Sequence, residues 1–320
     1  MKMNGIARAW NQCWFSRFDP VSVSVFRIFL GIHIIAFYLV LSPNWERFYA
    51  ADGITSLVEL TTRPREHWWS LFYWTEAWFS IRAFWWVGLV AAILFTLGWK
   101  CRVSTIVLYA IESTLLQRST PAMNGEDAVY HLILFWGMFA PLGEGLSIDS
   151  WLKRRRARDQ TGAEGLPTIW AVRAMQINFV LIYAISLPNK LVDDIAWWNG
   201  DAIYLSIVSN VWSRWPWPEM FYAFNGFLSK CFTYGTILAE GGFCVLVWFP
   251  RPRLYIIGAL AALHIGIAVM LNGVAFFSLS MVCGLWLFVP PEVTRMLIGR
   301  ISWAGDVLRV RVVSKVQHSI

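Results

Sequence analysis

The chain has 320 residues, of which 57% are hydrophobic and only 15% are charged. Soluble domains carry about a quarter charged residues, so this composition, with a mean hydropathy of +0.50, excludes an ordinary soluble protein and indicates a helical membrane protein. The formal net charge of +7 does not indicate nucleic-acid binding, because the basic residues are concentrated in a few segments between apolar runs.

Eight apolar segments are candidate transmembrane helices, since a span needs about 20 mostly apolar residues. They cover residues 21–41, 81–98, 103–117, 128–146, 169–187, 228–249, 254–271 and 274–289. The first segment has no small-residue cleavage site, so we expect it to remain as a span. The sequence therefore predicts an all-α fold, a polytopic helical membrane protein with about eight transmembrane helices.

The distribution of basic residues predicts the orientation. Lys and Arg are concentrated near the N-terminus, at 100–102, at 153–158, at 251–253 and in the C-terminal tail. The connections 42–80, 118–127, 188–227 and 272–273 contain few of them for their length, and the two longest are rich in Trp. Because positively charged connections stay in the cytoplasm, we expect both termini to be cytoplasmic and the Trp-rich loops to lie outside.

Three regions follow from this pattern. Residues 1–20 form a cytoplasmic N-terminus, residues 21–290 a transmembrane domain, and residues 291–320 a basic amphipathic cytoplasmic tail. The interspersed basic and apolar residues of the tail predict a segment that lies against anionic lipid of the inner leaflet. The alternative is a disordered, solvated tail.

Lys190 is the most unusual ionisable residue, because it follows the fifth apolar run. We expect Pro188 to end that helix, which leaves Lys190 at its outer end beside Asp193 and Asp194. One interpretation is an anchor that reaches the outer lipid headgroups. The other is a general base, because an amine shielded from water loses its proton more readily than one in solution.

Other ionisable side chains lie inside the predicted spans, where a charge is costly unless it is paired. Glu240 and His264 lie at similar distances from the turn at 250–253, about 15 Å along their helices, and we expect them to share a polar cavity. The alternative is pairing that only holds the bundle together. For Arg27, Arg82 and Arg173 we favour this pairing, or an extended side chain that reaches the nearer membrane face. The chain has no CxxC pair or HExxH motif, so no metal site is predicted.

Several short motifs occur in an order that resembles a known family. Residues 182–191, Ile-Tyr-Ala-Ile-Ser-Leu-Pro-Asn-Lys-Leu, with Trp-Asn-Gly at 198–200, resemble the lysine segment in the membrane part of vitamin K-dependent gamma-glutamyl carboxylase. Phe-Asp-Pro at 18–20, Gly-Trp-Lys-Cys-Arg at 98–102, Asn-Gly-Glu-Asp at 124–127 and Phe-Ser-Leu at 277–279 occur in the matching order. Residues 15–290 are similar to the bacterial proteins of the horizontally transferred transmembrane domain family.

The resemblance implies a gamma-carboxylase-like lyase in the bacterial inner membrane. Lys190 would be the catalytic base, acting on a reduced, vitamin K-like quinone at an outward-facing site, with no metal. The residues expected to line the polar cavity are Glu112, Asn124, Glu126, Asp127, His131, Glu240 and His264. The carboxylase has an Asn-His pair near 124–127, where this chain has Glu126 and Asp127, and His131 follows about one helical turn later.

The resemblance also implies a partner besides the lipid bilayer. The carboxylase has a large extramembrane domain that binds its substrate, and we expect this chain to act on a small secreted peptide or another neighbouring-gene product. The alternative function is a non-enzymatic membrane scaffold, a transporter or an immunity component.

Overall fold

A computed structural model describes residues 5–54, 78–118, 125–157, 166–209, 211–215 and 223–299. Within these ranges the regular structure is helical, and extended contacts are limited to two isolated bridges, Arg17 with Thr168 and Ser213 with Leu271. The predicted all-α class is confirmed for this part of the chain. The tail 300–320, and with it the prediction of a surface-lying segment, lies outside the described residues.

The helices follow the apolar segments in chain order. They are α1 (Gly5–Phe15), α2 (Val21–Leu41), α3 (Trp45–Tyr49), α4 (Trp78–Leu97), α5 (Cys101–Arg118), α6 (Gly125–Gly137), α7 (Ile148–Ala157), α8 (Trp170–Asp193), α9 (Ile195–Asn199), α10 (Ala202–Val208), α11 (Ala223–Leu246), α12 (Pro250–Met270), α13 (Ala275–Leu285) and α14 (Pro291–Gly299). Short 3₁₀ turns at Ser42–Asn44 and Trp286–Phe288 extend α2 and α13.

Four described helices are long and apolar enough to cross a membrane: Val21–Tyr49, Ser80–Leu97, Trp170–Val192 and Pro250–Met270. A fifth is added if Ala275–Phe288 and Pro291–Gly299, which meet at a bend of 111°, form one broken span. The chain is therefore compatible with a multi-pass membrane protein. The structure does not show eight spans, and α6 is 13 residues long where the sequence predicts a span over 128–146.

The prediction that Pro188 ends the fifth helix is wrong, because α8 continues through Pro188 to Asp193. Proline removes one backbone N–H and crowds the carbonyl of residue i−4. Unwinding the helix would expose further backbone groups, which is costly where no water can satisfy them. Continuing the helix therefore costs less free energy than ending it at Pro188. As a result, Lys190 lies on the last turn of a helix rather than in a loop.

The prediction that 250–253 forms a turn is also wrong. Pro250 starts α12, and the chain reverses at Val247–Phe249, before the two prolines. A proline suits the first turn of a helix, where its missing N–H would have no intrahelical partner.

Close packing of α2 against α4 forms the centre of the bundle. Gly31 lies so near α4 that an added Cβ would be 2.1 Å from Thr96 Oγ1. The Trp85 indole donates to the carbonyl of Tyr38 at 2.9 Å. Beside this pair, α8 packs against α6 and α11, while α12 and α13 form an adjacent hairpin that also reaches α2 and α6.

The three arginines inside the predicted spans are held by protein groups. Arg27 is fully buried and donates to the carbonyls of Leu142 (2.7 Å), Thr96 (3.3 Å) and Leu146. The guanidinium of Arg82 makes two bonds to Glu46, at 2.7 and 2.8 Å, and that of Arg173 donates to Gln176 at 2.8 Å. Their structural role, favoured from the sequence, agrees with these contacts.

Candidate functional site

The Lys190 side chain points into the bundle and meets a carboxylate of another helix. Its Nζ lies 2.6 Å from Oε1 and 2.5 Å from Oε2 of Glu240 on α11. The Lys190 side chain is 21% exposed and that of Glu240 is 7% exposed. Glu240 is therefore the partner of Lys190, a pairing that the sequence analysis does not predict.

The direction of the Lys190 side chain follows from its place on α8. Side chains of an α-helix lean toward the helix N-terminus. Lys190 stands in the last turn of α8, so its amine is directed back along the helix, away from that end. This geometry opposes the anchor interpretation, in which the amine would extend outward to lipid headgroups.

A second polar pair lies beside the first. The Tyr183 hydroxyl and His264 Nε2 are 2.8 Å apart, and both residues are buried. Tyr183 precedes Lys190 by about two helical turns and so lies on the same face of α8. Lys190 is close enough to His264, and Glu240 to Tyr183, for electrostatic interaction. The structure thus brings Lys190, Glu240, Tyr183 and His264 together.

Glu240 and His264 do not bond to each other, although both belong to this cluster. Each is bonded to a residue of α8, Glu240 to Lys190 and His264 to Tyr183. His264 Nδ1 is buried, and within the described residues it has no hydrogen-bond partner. We call these four residues, Tyr183, Lys190, Glu240 and His264, the lysine cluster.

The residues that follow Lys190 in the chain help to enclose its amine. The Trp197 ring on α9 lies against it, with Nζ 4.8 Å from the ring centroid. Asp194 accepts a hydrogen bond from the backbone N–H of Ala196 at 2.9 Å and so caps α9. Because the Asp194 carboxylate is bonded to the start of α9, it does not compete with Glu240 for the Lys190 amine.

An open groove at the surface of the helix bundle lies next to the lysine cluster. Apolar and polar side chains, including that of Lys190, form its walls. The lining residues are Ile182, Ile185, Ser186, Asn189, Lys190, Asp194 and Trp197. The groove therefore offers an amine, a hydroxyl and an amide next to aliphatic and aromatic surface.

The acidic candidates form a separate group between α2, α5 and α6. Glu112 is 2% exposed and accepts a hydrogen bond from the Tyr38 hydroxyl at 3.0 Å. Glu126 and Asp127 lie within electrostatic range of Glu112. The buried Tyr130 hydroxyl borders these carboxylates and has no hydrogen-bond partner among the described residues. We call Glu112, Glu126 and Asp127 the acidic cluster.

His131 belongs to neither cluster. Its Nε2 lies 3.3 Å from the Tyr109 hydroxyl and its Nδ1 lies 3.2 Å from Ser113 Oγ, both on α5. Asn124, the remaining candidate, lies outside the described residues. The sequence candidates are therefore divided between two clusters and one separate histidine.

Phe277 separates the two clusters. Its ring makes an edge contact with His264, with centroids 6.3 Å apart. On its other side, a Cβ added at Gly125 would lie 2.9 Å from the Phe277 ring. Gly125 directly precedes Glu126 of the acidic cluster. The acidic cluster and the lysine cluster are therefore both close to the Phe277 ring. Gly125 of the one motif and Phe277 of the other thus lie close together in space.

Two participants were missed in the sequence analysis as site residues. Tyr183 could have been found from its spacing, because it shares a helix face with Lys190. The contact of Tyr38 with Glu112 has no local signal, since the two residues are 74 positions apart in the chain. In the described residues, no group of three or more His, Cys, Asp or Glu side chains is arranged to hold a metal ion.

Comparisons with protein-family models, with curated proteins and with solved structures find no match to this chain.

Proposed function

We propose that the protein is an integral membrane enzyme with carboxylase-like, quinol-dependent chemistry, in which Lys190 is the general base. The supporting observation is the position of the Lys190 side chain at an open groove, with both carboxylate oxygens of Glu240, at 2.5 and 2.6 Å, as acceptors for the proton that the ammonium must release before it can act as a base. A carboxylate this close can exchange a proton with the amine directly. The pair can therefore take up a proton without requiring water inside the bundle.

The chemistry of the pair follows from its proton balance. Lys190 accepts a proton from a ligand hydroxyl in the groove while it passes one of its own protons to Glu240. The pair gains one proton in total, and an ammonium group remains facing the groove. That positive charge stabilises the negative charge left on the ligand side, and a low-dielectric setting strengthens the attraction.

The groove suits the flat, lipid-soluble cofactor that the family resemblance implies. Ile182, Ile185 and Trp197 provide apolar and aromatic surface, and Ser186 provides a hydroxyl. A reduced quinone bound there would supply weakly acidic hydroxyl groups. Lys190, Ser186 and Trp197 are the residues that would hold it, by hydrogen bonding and by ring contact. By the same resemblance, the proposed acceptor is a small secreted peptide from a neighbouring gene.

The proposed topology has eight spans in the bacterial inner membrane, with both termini cytoplasmic. Helices α5 and α11 are 18 and 24 residues long. Glu112 lowers the mean hydropathy of α5, and Glu240 lowers that of α11. These two residues are 2% and 5% exposed, so they contact protein rather than lipid. Their burial supports counting both helices as spans.

Variants of the lysine–glutamate pair test the proposed function in proteoliposomes. We expect reduced menadione to support oxygen uptake and incorporation of labelled bicarbonate into a glutamate-rich peptide by the wild-type protein. Lys190→Arg keeps the positive charge but cannot act as a base near neutral pH, so activity should fall by about 100-fold or more. Lys230→Arg, on α11 but outside the lysine cluster, is the matched control and should keep wild-type activity.

The exchanged variant Lys190→Glu/Glu240→Lys separates chemistry from structure. It restores an ion pair with reversed positions, so we expect folding without activity. Full activity in Lys190→Arg or in the exchanged variant would overturn the proposal and favour a scaffold or transport role. Absence of activity in the wild-type protein would overturn it as well.

A further inference from the structure

A basic cavity lies at the end of the bundle where α5, α6 and α7 meet. It has a volume of about 470 Å³ and is lined on α5 by Arg102 and on α7 by Lys153 and Arg156. The two sides are held together by Asp149, which accepts hydrogen bonds from the backbone N–H groups of Lys100 and Cys101, both at 2.8 Å. Three cationic side chains from two helices thus surround one space.

The two acidic residues that line this cavity already bond to other protein groups. Glu144 bonds to Lys153 at 2.5 Å, and Asp149 caps the start of α5 as described. Arg102 donates its Nε to the carbonyl of Met138 at 3.0 Å, which fixes the guanidinium at the cavity wall. Among the described residues, neither Arg102 nor Arg156 has a carboxylate partner. Two like charges facing one space repel each other unless an anion lies between them.

The surroundings of the cavity are those of a membrane interface. Phe139, which lines it, is 42% exposed and packs against Trp170, with ring centroids 6.1 Å apart. Trp151 on α7 is 46% exposed, and the Arg155 guanidinium lies 3.9 Å from its ring centroid. Exposed aromatic residues next to basic residues are typical of the headgroup level of a bilayer.

We infer that this cavity binds the phosphate of an anionic phospholipid headgroup, with Arg102 and Arg156 as its ligands. The planar guanidinium matches a phosphate with paired hydrogen bonds. Phe139, which lines the cavity and is 42% exposed, provides the contact for acyl chains that a free phosphate would not use. Basic pockets at the cytoplasmic ends of membrane helices are suited to such headgroups.

Lipid retention measured by native mass spectrometry of the purified full-length protein tests this inference. The probes are phosphatidylglycerol, phosphatidylcholine and inorganic phosphate. We expect one phosphatidylglycerol to be retained in preference to phosphatidylcholine, and to stay bound in the presence of excess inorganic phosphate. In Arg102→Gln/Arg156→Gln, affinity for phosphatidylglycerol should fall by roughly thirtyfold.

The control variant Arg154→Gln/Arg251→Gln removes the same charge from exposed positions outside the cavity. It should keep the wild-type affinity for phosphatidylglycerol. Equal losses in the two double variants would overturn the inference and indicate only general attraction to surface charge. Displacement by inorganic phosphate, or equal retention of the two lipids, would also overturn it. An unchanged thermal unfolding profile confirms that the cavity variant is folded.

Discussion

At the residue scale, Lys190 shows how helix geometry determines the partner of a charged side chain. Its amine is directed into the bundle because α8 extends to Asp193 and its side chains lean toward the helix start. Had the helix ended at Pro188, the same residue would have been free to extend toward lipid headgroups. The Glu240 contact is therefore a consequence of one additional turn of helix.

Removing the carboxylate of Glu240 should destabilise the protein more than removing an exposed one. Glu240→Gln leaves a largely buried ammonium without its anion, and we expect a loss of about 1–3 kcal/mol, which allows for the partial exposure of Lys190. The double variant Lys190→Met/Glu240→Leu removes both charges and should be nearly neutral. The free energy of unfolding, measured by titration with SDS in mixed micelles, checks both values.

Glu144→Gln is the control for this prediction. Its pair with Lys153 is 36% and 49% exposed at the two side chains, so the loss should stay within about 0.5 kcal/mol. A Glu240→Gln variant as stable as the control would contradict the burial of the pair.

At the element scale, small residues set how closely the helices approach. Gly284 on α13 faces the fully buried ring of Phe179 on α8, and an added Cβ would lie 2.0 Å from that ring. Gly88 on α4 has the same relation to Tyr38 on α2, at 2.3 Å. These glycines leave room for a large side chain of the neighbouring helix, which suits association in lipid, where packing drives helix pairing.

Gly284→Ala should loosen the contact between α13 and α8. An overpacked interface typically costs about 1–3 kcal/mol, and we expect a loss of that size in the thermal or SDS unfolding of the purified protein. Gly266→Ala on α12 is the matched control, because a Cβ there meets nothing within 4 Å. It should be neutral or stabilising by up to about 1 kcal/mol, since alanine favours helix over glycine. Equal effects of the two substitutions would show that helix propensity, rather than contact, is being measured.

At the scale of the whole molecule, the structure places two basic segments at the same end of the bundle. The turn at Lys100 and the start of α7 are joined through Asp149, and Arg27 holds the neighbouring carbonyls of Thr96 and Leu142. This proximity agrees with the expectation from charge that both segments lie on one side of the membrane. Which side they occupy stays a prediction.

Reporter fusions test the predicted topology. An alkaline phosphatase fused after Arg158 should be inactive and one fused after Trp217 should be active, because phosphatase folds only outside the cytoplasm; a green fluorescent protein at the same sites should give the reverse pattern. Both fusion sites lie beside predicted spans five and six, and the positive-inside rule places them on opposite sides. The same result at both sites would contradict the eight-span arrangement.

The helical class and the approximate positions of the apolar helices could be predicted from the sequence alone. Spans 21–41 and 254–271 correspond to α2 and α12 within a few residues at each end, because the length of an apolar run is a local property and a helix satisfies its own backbone in lipid. The sequence also singled out Lys190, Glu240 and His264 among its candidate site residues, since ionisable residues are rare in apolar runs.

Which side chains meet follows from the packing of the helices and could not be predicted from the sequence. Lys190 and Glu240 are 50 positions apart, and Tyr183 and His264 are 81 apart, so both contacts depend on which helices are neighbours and how each is rotated. Local pattern also failed at Pro188, because the preference of proline for helix ends is weaker than the cost of unsatisfied backbone groups within the bundle. It failed at Pro250 because a proline suits the first turn of a helix as well as a connecting turn. The pairing of charges is a property of packed helices, and hydropathy and charge counts carry no information about rotation.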